Sequence, residues 1–150
     1  MSATELARAL HALVGELDAA AEEVVRAEFG VTHSQLSFMM PLFIHGELDV
    51  TSLAAMNRVS VAAVSKRVGW FVGRDLIQAE HPAGDAKRVV LTLTGEGRRL
   101  ARTASARLTR GLDELLVGWP EERRSVFMEL VVDVTETIHA NRDNAVMETA

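Results

Sequence analysis

GDAKRVVLTLTGEG, residues Gly84–Gly97, is the stretch that decides the fold. It opens on an acid, Asp85, and two adjacent cations, Lys87 and Arg88. It then runs through strand-forming residues, Val89 to Leu93, into Thr-Gly-Glu-Gly. Pro82 and Gly84 make the preceding segment, His81 to Lys87, a loop. Ile77 to Glu80 and Arg88 to Leu93 therefore read as two short strands joined by a basic turn. Thr94 is placed to cap a helix that starts at once, near Gly95, because its hydroxyl accepts from the free N–H groups of a first turn.

Upstream lies a pair of short helices. Asp49 predicts the N-cap of a helix over Val50 to Asn57 that buries Leu53, Ala54 and Met56. Three residues later Ser60 caps a second helix, Val61 to about Arg74, with Val64, Val68 and Phe71 on one buried face. Two helices around so tight a turn form a helix-turn-helix, and a following two-stranded ribbon makes it a winged helix. Before it, Thr32 and Gln35 have capping-box spacing and open an apolar helix to about Ile44, closed by Gly46. Pro41 lies inside that helix and should kink or shorten it, since it lacks an N–H and crowds the preceding turn. Met39, Met40, Phe43 and Met56 read as core rather than as a ligand box.

The flanks are helical too. Thr4 to about Ala27 repeats Leu6, Leu10, Leu13, Leu17, Ala20 and Val24 at helical spacing, behind a Ser2/Glu5 capping box and before a break at Gly30. Gly95 to about Val117 carries Leu100, Ala104, Leu108, Leu112 and Leu115. After the break at Gly118–Glu122, Pro120 suits the first turn of a last helix, with Glu121 and Glu122 at its positive end. That helix shows Val126, Leu130, Val134 and Ile138 and should end near Ala140, leaving ten frayed polar residues. These stripes exceed what one small winged helix covers. They read as a dimer interface, the alternative being a monomer whose terminal helices fold back.

Composition narrows the function. At 150 residues with 48% apolar and 25% charged side chains, the chain is a soluble globular domain. With no cysteine, disulfides, thiolate metal sites and cysteine redox sensing are excluded. The N-terminus has no basic leader and the apolar run FMMPLFI is too short for a bilayer, so a cytoplasmic protein without a membrane partner is expected. The net charge of −5 argues against nucleic acid, yet its distribution argues the other way. Residues 51–110 hold eleven cations and four acids, net +7, while the remainder is net −12. A basic middle between acidic ends is either a polyanion footprint or a set of solvated helix faces. The five histidines are scattered, none at ligand spacing from another. No nucleophile elbow, phosphate loop or paired-carboxylate motif occurs, so no enzyme, metal or cofactor is expected.

The segments VTHSQLSFMM, LAAMNRVSVAAVSKRVGWFVGRDLI and GDAKRVVLTLTGEG together resemble the MarR family of transcriptional regulators. Asp85, Leu93, Thr94 and Gly97 stand at the spacing of that family's wing pattern. The resemblance covers about residues 31–100 by motif and the flanking helices by arrangement. It implies a mainly α fold with a small β-wing: a winged-helix lobe over about 32–100, and dimerisation helices over about 4–28 and 100–140, in a single domain. It also implies a homodimer on palindromic double-stranded DNA, a repressor relieved by a small aromatic or phenolic effector. This chain departs from the pattern where wing arginines are usual, at Ala86 and Lys87, although Arg88 follows. Asp75 replaces the glycine that usually closes the recognition helix, Lys66 stands where arginine is frequent, and Trp70 occupies a commonly basic position.

On a wheel anchored by Val64, Val68 and Phe71, the outward side is Ala62, Ala63, Ser65, Lys66, Gly69, Trp70 and Gly73. Small residues there let a helix approach base edges, and Ser60 and Ser65 have hydroxyls for phosphate or base. Arg67, nearer the core edge, reads equally as a phosphate contact or a partner for an internal acid. Asp85, Lys87 and Arg88 form the wing tip. The expected DNA-binding set is therefore Ser60, Ala62, Ala63, Ser65, Lys66, Arg67, Asp85, Lys87 and Arg88. Trp70 packs on the wing or walls an effector pocket. The alternative function is a helical dimer that binds a small molecule or protein and reads no DNA.

Overall fold

Helix starts in this chain are set by side chains that the sequence supplies. The computed structural model describes residues 2–148, with side chains to residue 142. The order is α1 (Ala3–Phe29), α2 (His33–His45), β1 (Glu47–Asp49), α3 (Val50–Asn57), α4 (Val61–Val72), β2 (Ile77–Glu80), β3 (Val90–Leu93), α5 (Gly95–Leu115) and α6 (Glu121–Glu148). Ser2 and Thr32 form capping boxes with Glu5 and Gln35. Asp49 accepts from the Ser52 N–H at 2.7 Å, and Ser60 from Ala63 at 3.1 Å. Each satisfies an amide that the first turn leaves without an intrahelical partner.

The chain divides into two units, Met1–Thr109 and Arg110–Ala150. The first holds the core. Phe38, Met39 and Leu42 of α2 meet Leu53 of α3, Val64 and Phe71 of α4, Ile77 and Leu91 of the sheet, and Ala101 and Ala104 of α5, all buried. Phe38 stacks on Phe71, ring centroids 4.9 Å apart. The sheet is antiparallel in the order β1-β3-β2, with Leu48 opposite Leu91 on one side and Ala79 opposite Leu91 on the other. In the second unit, Arg124 donates to the Leu116 carbonyl at 2.8 Å and Trp119 meets Phe127 edge-on at 5.8 Å, closing the turn between α5 and α6.

Several expectations need correction. β1 was not expected; it is three residues long and exists through its backbone pairing with β3. β3 begins at Val90, not Arg88, because the Arg88 N–H is taken by Asp85 in the turn. Pro41 does not shorten α2, which continues to His45. Met56 is exposed rather than buried, since α3 packs through Leu53 and Ala54. α4 ends at Val72, before Arg74. α6 continues past Ala140 to Glu148, so the expected frayed segment is helical up to that point; residues 149 and 150 lie outside the described residues.

Thr94 and Gly97 explain the Leu-Thr-x-x-Gly pattern. The Thr94 hydroxyl donates to the Asp75 carbonyl at 2.5 Å and accepts from the Gly97 N–H at 2.9 Å. The Thr94 N–H reaches the Leu76 carbonyl at 3.1 Å. A Cβ on Gly97 would lie 2.0 Å from that same carbonyl oxygen. The first turn of α5 thus rests directly on the backbone that leaves α4, which holds the two strands of the wing at a set place beside it.

Candidate nucleic-acid interface

The helix-turn-helix is tied by its own backbone. Arg58 adopts φ 55°, and the N–H of Val59 reaches back to the Ala54 carbonyl at 3.0 Å, a left-handed end to α3 built without glycine. Asn57 turns inward and donates to the Leu53 carbonyl at 3.2 Å. Ser60 is the N-cap of α4 and is exposed. At the far end Asp75 also adopts φ 55°, the left-handed position its place after α4 demands.

The exposed side of α4 carries Ala62, Ser65, Lys66 and Gly69, as expected, with Gly73 exposed at its C-cap; Ala63 is half-buried. Val61, absent from the expected set, is 47% exposed in the first turn. Its place in line with Val64 and Val68 masked it: the stripe runs off the end of the core one turn early. Lys66 makes no ion pair among the described residues. Trp70 departs from the outward side. It is half-buried, meets Phe71 edge-on at 4.9 Å and carries the Arg74 guanidinium 4.3 Å above its ring. Arg67 pairs with no acid among the described residues and sits 5.8 Å from the Phe38 ring centroid. Together with Thr32, Ser34, Gln35 and Phe71, these aromatics and Arg67 line an open cleft of about 250 Å³ between α4 and the start of α2. Trp70 therefore walls a cleft.

The wing tip is organised by Asp85. Its Oδ1 accepts from the N–H groups of Lys87 at 3.1 Å and Arg88 at 3.2 Å, so its carboxylate serves the turn. Arg88 is turned back toward Asp49, Nη2 to Oδ2 at 3.6 Å. Asp49 thereby joins three elements: it opens α3, ends β1 and faces the wing. The Ser52 backbone N–H, with further help from Arg88, holds its carboxyl below the usual carboxylate range. Lys87 is exposed and forms no ion pair among the described residues.

The basic middle thus resolves into distinct fates. Arg88, Arg99 and Arg107 pair with Asp49, Glu96 and Glu28. Arg67 and Arg74 lie over aromatic rings. Lys66 on α4 and Lys87 on the wing do neither, nor, among the described residues, do Arg98, Arg102 and Arg110 of α5. Among the described residues no cluster of three metal-ligating side chains occurs, and no helix is long and apolar enough to cross a membrane.

Comparison with solved structures gives this arrangement its class. No family model and no curated protein matches the sequence. The fold matches a MarR family protein from Bacillus stearothermophilus with a TM-score of 0.81 at 18% identity, over 91% of this chain and 94% of that one. It matches FabT of Streptococcus pneumoniae, solved in complex with DNA, with a TM-score of 0.84 at 13% identity, over 92% and 98%. It matches NadR, solved in complex with 4-hydroxyphenylacetate, with a TM-score of 0.62 at 20% identity, over 88% and 90%. The chain has the winged-helix fold of MarR regulators: mainly α, with a small antiparallel wing.

Proposed function

We propose that this chain is a MarR-type transcriptional regulator, a cytoplasmic homodimer that binds a palindromic operator and represses, and that a small aromatic or phenolic effector relieves it. The observation that carries the reading is the pairing of two features: a complete winged helix with unpaired cations on both α4 and the wing, and long apolar helix faces that a single chain leaves in water. Leu6, Leu10 and Leu13 of α1, and Leu130, Val131 and Val134 of α6, are all exposed. A second copy covering them would set two α4 helices on one duplex, with half-sites about 34–36 Å apart. Residues of about 4–28 and 100–140 are the dimerisation helices in this reading, and about 32–100 the DNA-binding lobe.

The contact residues divide by task. Lys66 and Lys87 supply charge to the groove and backbone. Ala62, Ala63 and Ser65 face the bases. Ser60 shapes the start of α4, Asp85 shapes the wing turn, and Arg88 holds the wing to Asp49. Arg67 and Trp70 offer an effector a guanidinium and an aromatic ring in the cleft between α4 and the start of α2, which Phe38 and Phe71 back. An effector there acts by changing the spacing of the two recognition helices.

The test is recovery of fragmented source DNA by the purified protein at about 150 mM salt, with a Lys66→Ala/Lys87→Ala variant as control. A few enriched palindromic sites, lost in the variant, are the expected result. No enrichment over random fragments, also after unfolding and refolding to strip small molecules, would leave the helical dimer without DNA recognition as the better description.

A further inference from the structure

On the reading of α4 as the recognition helix, we infer that this protein identifies its half-site chiefly through the C5 methyl groups of thymine, with Lys66 as the single charged contact from α4. The inference follows from what the exposed part of α4 offers and what it lacks. Side chains that read guanine or adenine by two hydrogen bonds are arginine, lysine, asparagine and glutamine. Of these α4 carries only Lys66 and Arg67, and Lys66 alone has no ion pair or ring contact among the described residues. Arg67 lies toward the Phe38 ring, Asn57 donates to the Leu53 carbonyl, and Gln35 closes the α2 capping box. Arg74 covers Trp70.

What remains at the N-terminal end of α4 is apolar. Val61 is 47% exposed although β-branched and in line with the core stripe, and Ala62 is exposed beside it. Side chains of a helix lean toward its N-terminus. The methyl groups of Val61 and Ala62 therefore project from the end of the helix that enters the groove in helix-turn-helix docking. Ser65 adds one hydroxyl a turn later, and Gly69 and Gly73 add no side chain at all. In the major groove only thymine presents a methyl group, so an apolar helix end discriminates by burying it. Wing chemistry does not replace the missing readers: Lys87 is a hydrated point charge, and Arg88 is held 3.6 Å from Asp49.

The experiment alters the DNA and leaves the protein intact. A preferred duplex is first selected from random sequence at about 150 mM salt. Each thymine is then replaced singly by deoxyuridine, which removes the methyl group and no hydrogen-bonding atom. Affinity is expected to fall about fourfold at one or two thymines per half-site, the worth of one buried methyl-sized group. Val61→Ser and Ala62→Gly, checked for native helix content by circular dichroism, should each abolish the thymine–deoxyuridine difference at one of those positions while the other persists. A specific site that is insensitive to every deoxyuridine would overturn the inference and leave DNA shape as the readout. So would sensitivity that both variants retain unchanged. If no duplex sequence is preferred at all, the regulator reading itself fails, and the inference fails with it.

Discussion

The lobe around α4 and the helices at either end of the chain use apolar residues in opposite ways. In the lobe, Phe38, Met39, Leu42, Leu53, Val64 and Phe71 are almost wholly buried by their own chain. Along α1, 27 residues long, Val25 is the one residue fully buried, and Leu6, Leu10, Leu13, Val14 and Leu17 face solvent. α6 repeats this with Val126, Leu130, Val134 and Ile138. The same helical periodicity therefore produces a finished core in one place and an unfinished one in the other. Apolar patches of that extent mark surfaces that something else covers.

The comparison breaks most sharply inside the lobe. Phe38→Ala removes one ring of the stacked pair and should cost about 3–5 kcal/mol, read by thermal or urea unfolding and independent of protein concentration. Gly97→Ala forces a methyl group against the Leu76 carbonyl, and since backbone must move, about 1–3 kcal/mol should be lost. Asp75→Gly acts the other way. It relieves a left-handed residue at φ 55°, offset partly by glycine's entropy, for a net gain of about 0.5–1 kcal/mol in the same unfolding assay.

The terminal helices should answer differently. Leu10→Gln with Leu130→Gln should leave amide protection of the lobe core within about 0.5 kcal/mol, while sedimentation velocity shifts from dimer toward monomer. If that pair lowered lobe protection as far as Phe38→Ala, the two regions would be one cooperative unit and the contrast would fall. The smallest effect concerns the seam between helix-turn-helix and wing. Asp49 titrates below its ordinary range, so its stabilisation is complete above the unfolded carboxylate pKa and lost as pH falls through the lowered folded value. Asp49→Asn keeps the N-cap without titrating. The stability difference between wild type and this variant should shrink as an acid titration, followed by circular dichroism, passes that point.

Most helices were legible because caps and periodicity are local. Ser2, Thr32, Asp49, Ser60 and Thr94 each announce a helix within three residues, and each is found capping in the structure. The buried face of α4 was equally legible from Val64, Val68 and Phe71. β1 was not, since three residues carry too little alternation and the strand exists only through its backbone partners Val90–Thr92. Of the candidate site, Lys66, Ser65 and Ala62 stand exposed where the wheel placed them. The wheel misjudged Trp70 and Val61, because a wheel treats every turn alike. In the fold, the start of α2 reaches one flank of α4, and the core stops short of its first turn.

Sequence alone therefore determined the order of the helices and wing strands, the helix starts, the winged-helix pattern and the surplus of apolar helix face, all properties of residues within one or two turns of each other. Only the tertiary structure decided which cations remain unpaired, that Arg88 serves the seam with Asp49, and that Gly97 is a point of backbone contact. Those outcomes depend on residues that lie tens of positions apart along the chain and a few ångströms apart in space, and no local pattern encodes such a distance.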